Sequence, residues 1–193
     1  MRCINKKSGK FTRALFQIGC LLTLVASLTS AKTIPSHVAL KGLKGDSIEL
    51  DELCKGKITV LVFWKGCCFS GKKVLSDLAR LRAEIENPEL IIVAISTDTT
   101  RNIPQVKAYA SARKFPFPVL FDTESKLAKI MNPRGIQPYT VILDRQGSVV
   151  FEKARYHGGD WKHYKDRILE LLEETGKKAA IHASDDKPLQ VTP

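Results

Sequence analysis

Two uninterrupted apolar runs dominate the hydrophobic pattern of the chain. Residues Ile58–Trp64 (ITVLVFW) and Leu90–Ser96 (LIIVAIS) consist largely of β-branched, aromatic and other apolar side chains. Such runs are typical of strands that are buried on both faces of a parallel sheet. Between them lies a set of apolar residues at helical spacing: Val74, Leu78, Leu81 and Ile85. The pattern therefore predicts a strand–helix–strand unit in the first half of the chain.

Shorter patterns predict the remaining elements. We expect a β-hairpin where residues 37–43 and 47–50 flank the turn Lys44-Gly45-Asp46. The elements predicted further along are a helix at 104–114, a strand at 117–121, a helix at 122–131, strands at 139–144 and 149–154, and a helix at 160–174. Alternating strands and helices indicate an α/β fold with a central mixed β-sheet flanked by helices. We expect one domain at residues 32–175 and a flexible, polar C-terminal tail at residues 176–193.

The first thirty-one residues have a different pattern. Five basic residues and no acidic ones are followed by an apolar run at 14–28 and by small residues up to Ala31. This order is typical of a secretory signal peptide, and we expect residues 1–31 to be removed by cleavage after Ala31. The alternative is an uncleaved membrane anchor, although the run is shorter than the roughly 20 residues of a membrane span and contains Gln17. Lipid attachment at Cys20 is disfavoured because apolar sequence continues beyond it. The predicted location is periplasmic or otherwise extracytoplasmic.

Composition and charge exclude several classes of protein. With 44% apolar and 26% charged residues, the chain is neither disordered nor a polytopic membrane protein. Five of the basic residues lie in the leader, so the rest of the chain has a net charge of +6 out of the total +11. No basic run with interleaved aromatic residues indicates nucleic-acid binding. We expect a monomer with no membrane span after signal cleavage, and its positive charge favours acidic partners or the envelope surface.

Three cysteines remain after the predicted cleavage, namely Cys54, Cys67 and Cys68. An odd number with two adjacent members fits a reactive site better than a set of stabilising disulfides. The adjacent pair lies where the first buried strand ends and a helix begins, which is the edge of a parallel sheet where ligands bind.

The predicted surroundings of the pair favour thiolate chemistry. A cysteine in the first turn of a helix faces unsatisfied backbone N–H groups and the positive end of the helix dipole. Lys65, Lys72 and Lys73 add positive charge nearby. We therefore expect the pKa of Cys68 to lie below the ordinary value of about 8.5. The thiolate is the form that attacks disulfides.

The segment at residues 63–73 resembles the thioredoxin-like family, and within it the exported TlpA/ResA-type redoxins. Members of that branch have a strand ending in Phe-Trp, two further residues, Trp-Cys-x-x-Cys and a helix start similar to Lys-Lys. In this register Cys67 occupies the tryptophan position, Cys68 the position of the attacking cysteine and Gly71 that of the resolving cysteine. The resemblance extends from about Val38 to Leu172. It includes a helix–strand insertion at 104–121 and implies a thioredoxin-like fold.

A second motif, at residues 135–147, resembles the cis-proline strand and hairpin of the same family. The resemblance implies that Pro138 is cis and faces Cys68. Gln137, the residue before it, can then offer backbone groups to an extended substrate. We also expect Trp64 to lie in the core or in the wall of the substrate pocket, where it would contact substrate. The alternative is a trans proline that opens an edge strand.

In the usual two-thiol cycle, the first cysteine forms a mixed disulfide with the substrate and the second cysteine releases it. Here Gly71 replaces this second, resolving cysteine. Cys67 could act instead, but adjacent cysteines close a strained eight-membered ring. Cys54 precedes the seven-residue strand, roughly 20 Å from the pair and far beyond the ~7 Å Cα separation that a disulfide allows. We therefore favour release by an external thiol or a partner protein.

The sequence thus predicts an exported thiol–disulfide oxidoreductase-like protein in which the Cys68 thiolate is the nucleophile and Cys67 an assistant. Its expected partners are protein thiols or disulfides, or an external thiol reductant, and neither a cofactor nor a metal is expected. The segment Cys67–Ser70 is similar to the motif of monothiol glutaredoxins, but the flanking residues disfavour that function. They also disfavour a peroxidase. No acid stands at Val62, the position of the buried acid in minimal thioredoxins. The alternative function is a redox-inactive thioredoxin-like binding or scaffold domain of the cell envelope.

Overall fold

Seven strands form one mixed sheet in the computed structural model, which describes residues 32–185. The strands are β1 (Ala39–Gly42), β2 (Ser47–Glu49), β3 (Ile58–Trp64), β4 (Leu90–Ser96), β5 (Val119–Phe121), β6 (Tyr139–Leu143) and β7 (Val149–Ala154). Their order in the sheet is β2-β1-β5-β4-β3-β6-β7. Strands β3, β4 and β5 are parallel to one another, and the other neighbouring pairs are antiparallel.

Within residues 32–185, five helices connect and cover these strands. They are α1 (Leu50–Cys54), α2 (Phe69–Glu84), α3 (Ile103–Arg113), α4 (Lys126–Met131) and α5 (Asp160–Asp185), and a 3₁₀ turn at Thr100–Asn102 precedes α3. None of the helices in the described part of the chain is long and apolar enough to cross a bilayer.

The two faces of the sheet have separate apolar cores. Side chains from β3 alternate between them, and all seven residues of this strand are buried. Helices α2, α3 and α5 cover one face, and α1 and α4 cover the other. The mixed sheet with helices on both faces confirms the predicted α/β fold class.

The register of the central strands brings three chain segments to one edge. Trp64 at the end of β3 pairs with Ser96 at the end of β4, and Phe63 pairs with Tyr139 at the start of the antiparallel strand β6. The residues that follow β3 and β4 and those that precede β6 are therefore neighbours.

Most predicted elements are present, with two differences. The hairpin is followed by helix α1, which the sequence pattern did not indicate because five residues are too few to show a helical repeat. Helix α5 continues to Asp185, so its predicted end near Glu174 is wrong. Alanine and lysine residues after Gly176 have high helix propensity, which outweighs the single glycine. The predictions for the leader (residues 1–31) and for residues 186–193 fall outside the described residues.

Candidate functional site

The strand-to-helix turn after β3 presents two sulfur atoms next to each other. Cys68 is the residue immediately before α2, and its backbone N–H donates to the carbonyl oxygen of Lys65 over 3.1 Å. Cys67 is exposed and Cys68 is half-buried, and their Sγ atoms are 3.6 Å apart. The turn therefore places a pair of solvent-reachable thiols at the carboxyl edge of the parallel strands.

The electrostatic environment of Cys68 differs from the one we expected. Burial raises the pKa of the Cys68 thiol, and the hydrogen bond and charge of Cys67 and the charge of Asp98 raise it further, while Lys65 lowers it. The expected lowering of this pKa is therefore wrong in direction. Two of the lysines that should have lowered it are engaged elsewhere. Lys73 donates to the Asp77 carboxylate over 2.5 Å, and the Lys72 ammonium lies 5.1 Å from the centre of an aromatic ring.

The proline loop lies on the other side of the same edge. The Gln137–Pro138 peptide bond is cis, as the family resemblance implied. Pro138 is buried and Gln137 is half-buried. The Gln137 side-chain amide donates to the Thr97 hydroxyl over 2.7 Å, and the Thr97 N–H donates to the Trp64 carbonyl oxygen over 3.0 Å. These bonds connect the proline loop to the end of β3.

Trp64 belongs to the core and not to the substrate side of the site. Its side chain is completely buried, and its ring centre lies 5.9 Å from that of Tyr109 in the core under α2 and α3. The expectation that Trp64 could contact substrate is therefore corrected. Because the Trp64 side chain packs in this core, it supports the turn that follows β3 from below.

Neither Gly71 nor Cys54 brings a second thiol within reach of Cys68, as the sequence predicts. Gly71 is buried in the first turn of α2, where an added Cβ would lie 3.2 Å from the Lys65 carbonyl oxygen and 3.4 Å from the Trp64 Cβ. Cys54 is only 7% exposed at the opposite end of β3, and burial raises the pKa of its thiol to about 11. The full length of the strand separates it from Cys68.

A group of polar residues at the end of β4 also belongs to this edge, and none of the predicted site residues includes them. Ser96, Thr97 and Asp98 are all buried, and Asp98 acts electrostatically on Cys68. A run of three polar residues directly after a buried strand, at the same sheet edge as the cysteines, was the signal that could have identified them.

Among the described residues, no group of three or more histidine, cysteine, aspartate or glutamate side chains lies close enough together to hold a metal ion.

Comparison with known protein families agrees with this architecture. Residues 31–152 match the profile of the AhpC/TSA family, and because this span covers well over half of the chain, the protein belongs to that family. Among individual proteins, the chain is similar to the thioredoxin-like protein YneN of Bacillus subtilis, with 27% identity over 113 residues. That alignment covers 58% of this chain and 64% of YneN, so the chain spans less than two thirds of this relative.

Solved structures show the same fold. A thiol:disulfide interchange protein of the thioredoxin family from Chlorobium tepidum superposes with a TM-score of 0.62 at 17% identity, covering 74% of this chain and 97% of that one. A secreted disulfide oxidoreductase of Mycobacterium tuberculosis, described as homologous to DsbE of E. coli, gives a TM-score of 0.60 at 20% identity, covering 70% of this chain and 96% of that one. The fold is therefore thioredoxin-like, which confirms the resemblance found in the sequence.

Proposed function

We propose that this protein exchanges thiols and disulfides with other proteins, and that Cys68 is its nucleophile. The observation that supports this most directly is the geometry of the pair. Two solvent-reachable sulfur atoms lie 3.6 Å apart where β3 meets α2, beside a loop that contains a cis-proline. Membership of a redoxin family and similarity to thiol:disulfide interchange proteins are consistent with this activity.

The reaction begins when Cys68 loses its proton and its sulfur attacks one sulfur atom of a substrate disulfide. A bond forms between Cys68 and the substrate, and the other substrate sulfur leaves as a thiolate that takes up a proton. A thiol of an external dithiol reductant then attacks the Cys68 sulfur and releases the substrate as a second thiol. The second thiol of the reductant frees Cys68, so that two electrons pass from the reductant to the substrate.

We assign this release to an external reductant because of the covalent geometry of the pair. Adjacent residues have Cα atoms about 3.8 Å apart, whereas the Cα atoms of disulfide-bonded cysteines are usually about 4.4–6.8 Å apart. A bond between Cys67 and Cys68 would therefore distort the turn. Cys54 is buried at the far end of β3, so it cannot perform the step without a large rearrangement.

Substrate docking involves both sides of the site in this proposal. Phe69, which directly follows the nucleophile, has 83% of its surface exposed and is therefore available for contact with a docked chain. Pro138 is buried, so the loop would contact an extended substrate through backbone groups next to Gln137. These features favour a protein substrate over a small molecule.

Formation of a mixed disulfide with a defined disulfide peptide tests the proposal. Cys67→Ser should still form a one-to-one adduct, detected by intact mass, and Cys68→Ser should form none. Cys54→Ser is the matched control and should behave like the unsubstituted protein. The reverse pattern at the pair would make Cys67 the nucleophile, and no adduct with any variant would contradict thiol exchange.

The second candidate function is a redox-inactive binding domain. One observation favours it, namely that burial, Cys67 and Asp98 together raise the pKa of the Cys68 thiol and so reduce its thiolate fraction at neutral pH. Turnover of a disulfide substrate with a dithiol reductant separates the two candidates. Catalysis above the uncatalysed rate supports exchange, and its absence supports the binding domain.

Export also belongs to this proposal. The pattern of residues 1–31 supports a signal peptide, and one of the similar solved proteins is described as secreted. Protein recovered from the extracytoplasmic fraction should begin at Lys32 by intact mass and should be monomeric. A full-length chain in the membrane fraction would indicate the uncleaved anchor instead.

A further inference from the structure

A buried carboxylate lies directly beneath the cysteine turn. Asp98 is 3% exposed, and its Oδ2 atom accepts the Gly66 N–H over 2.8 Å and the Ser96 hydroxyl over 2.9 Å. The Asp98 N–H in turn donates to the Ser96 Oγ atom over 3.2 Å. Burying a carboxylate is costly unless such bonds are made, so the position of this group is well defined.

Gly66 allows the turn to approach this carboxylate closely. An added Cβ at Gly66 would lie 2.8 Å from a methyl group of Val106 in α3 and 3.6 Å from the Asp98 Oδ2 atom. The backbone therefore packs between α3 and Asp98, with its N–H aimed at the carboxylate. Because Cys67 is the next residue, the bond from Gly66 to Asp98 holds the backbone immediately before the two cysteines.

We propose that Asp98 is a positioning residue of this site, which holds the turn carrying Cys67 and Cys68 through Gly66 and keeps a negative charge near the Cys68 sulfur atom. Its importance for turnover rests on the proposed exchange function. Its effect on the Cys68 thiol is a property of the reduced protein alone and can be measured without a substrate.

The charge of Asp98 opposes ionisation of the nearby thiol. Burial raises the pKa of Cys68 most, Cys67 raises it further, the charge of Asp98 adds to both, and Lys65 on the turn acts in the opposite direction. A negative charge close to a thiol disfavours the thiolate. Removing the charge while keeping the hydrogen-bond acceptor should therefore make Cys68 more reactive at neutral pH.

The pH dependence of Cys68 alkylation tests the electrostatic part of the proposal. In a Cys67→Ser background, Asp98→Asn keeps an oxygen that can accept the Gly66 N–H but has no charge. We expect the midpoint of the profile to move to lower pH and the rate at pH 7 to rise severalfold. If Asp98 only stabilised the fold, Asp98→Asn would not shift the midpoint of the alkylation profile.

Asp122→Asn is the matched control for this measurement. Asp122 is equally buried at 3%, and its carboxylate accepts the N–H groups of Lys126 and Ala128. We expect its alkylation profile to equal that of the Cys67→Ser parent. Equal profiles for Asp98→Asn and the parent, or an equal shift in Asp122→Asn, would overturn the proposal. If Asp98→Asn does not fold, Asp98→Ser is a second neutral variant with an acceptor oxygen.

The rate of disulfide exchange tests whether Asp98 positions the cysteine turn. Two uncharged variants of Asp98 are compared in a protein that retains Cys67. Asp98→Ala removes both the charge and the acceptor, and should exchange disulfides at least about tenfold more slowly than Asp98→Asn because small displacements of a nucleophile reduce rates strongly. Equal rates for the two would contradict positioning. If the unsubstituted protein catalyses no exchange, the proposed function fails, while the alkylation profiles still decide the effect of Asp98 on Cys68.

Discussion

The two ends of strand β3 place the same amino acid in contrasting surroundings. Before the strand, Cys54 lies in the apolar core between the sheet and the helices α1 and α4, and burial raises the pKa of its thiol to about 11. After the strand, Cys67 and Cys68 lie on a turn that is open to solvent. Cysteine in the first setting is a small apolar side chain, and in the second it is available for chemistry.

The comparison also shows that exposure alone does not make a thiol acidic. Cys68 lies directly before a helix and near lysines, yet burial and its neighbours raise its pKa. Burial is the largest cause of this shift in the pKa of Cys68, and the charges that remain free to act on the sulfur follow it. Lys73 is paired with Asp77, so most of its charge is compensated there, while Asp98 lies close enough to oppose ionisation of Cys68.

The largest expected difference between the two ends of β3 is the rate at which their cysteine thiols are alkylated. Two units of pKa reduce the thiolate fraction about a hundredfold, and burial adds a steric barrier. Iodoacetamide at pH 8 should therefore modify Cys54 more than about a hundredfold more slowly than an ordinary exposed thiol, while Cys67 and Cys68 react readily. Peptide mass spectrometry over time measures this, and all three should react alike in denaturant. Rapid modification of Cys54 in the folded protein would contradict the claim that burial protects this thiol.

The second prediction concerns stability at alkaline pH. Between the ordinary thiol value of 9.0 and about 11, Cys54 keeps its proton when folded and loses it when unfolded, because its folded-state pKa is raised. The free energy of unfolding should therefore fall as the pH rises through this window, by about 3 kcal/mol in total from this group.

Urea unfolding at several pH values, compared with Cys54→Ala, isolates this effect. Tyrosines that titrate in the same range affect both proteins equally, so the stability difference between them should shrink with pH. Cys67→Ala is the control and should keep the pH dependence of the unsubstituted protein. Parallel curves for the Cys54→Ala and unsubstituted proteins would show that Cys54 ionises alike in both states.

The smallest predicted effect is at Phe69, beside the reactive pair. Phe69→Ala should raise KM for a protein disulfide about fivefold, as truncation of an apolar interface residue typically does, and leave a small disulfide unaffected. Stability should change by less than about 0.5 kcal/mol because the side chain is exposed. Ile130→Ala, an exposed apolar residue on α4, is the control. Equal KM changes for both variants would show that Phe69 has no special contact with substrate.

The sequence was sufficient for the parts of the fold that depend on long apolar patterns. Both buried strands, β3 and β4, have the predicted bounds, and the sheet edge that holds the cysteines follows from them. The site itself was less accessible. Asp98 is 30 or more residues from the cysteines in sequence and meets them only through strand pairing, as its bond to Gly66 shows. The partners of the lysines, and hence the direction of the Cys68 pKa shift, depend on side-chain placement that no local pattern encodes.

The glycine in the first turn of α2 has a consequence for attempts to rebuild a two-cysteine motif. Gly71→Cys would put a Cβ atom 3.2 Å from the Lys65 carbonyl oxygen, the same oxygen that accepts the Cys68 N–H. The carbonyl would have to give way, and the bond that positions the nucleophile would be disturbed with it. A side chain at this helix start therefore requires the Lys65 carbonyl group to move by a few tenths of an ångström, and a single substitution would restore the two-cysteine motif while altering the turn on which it depends.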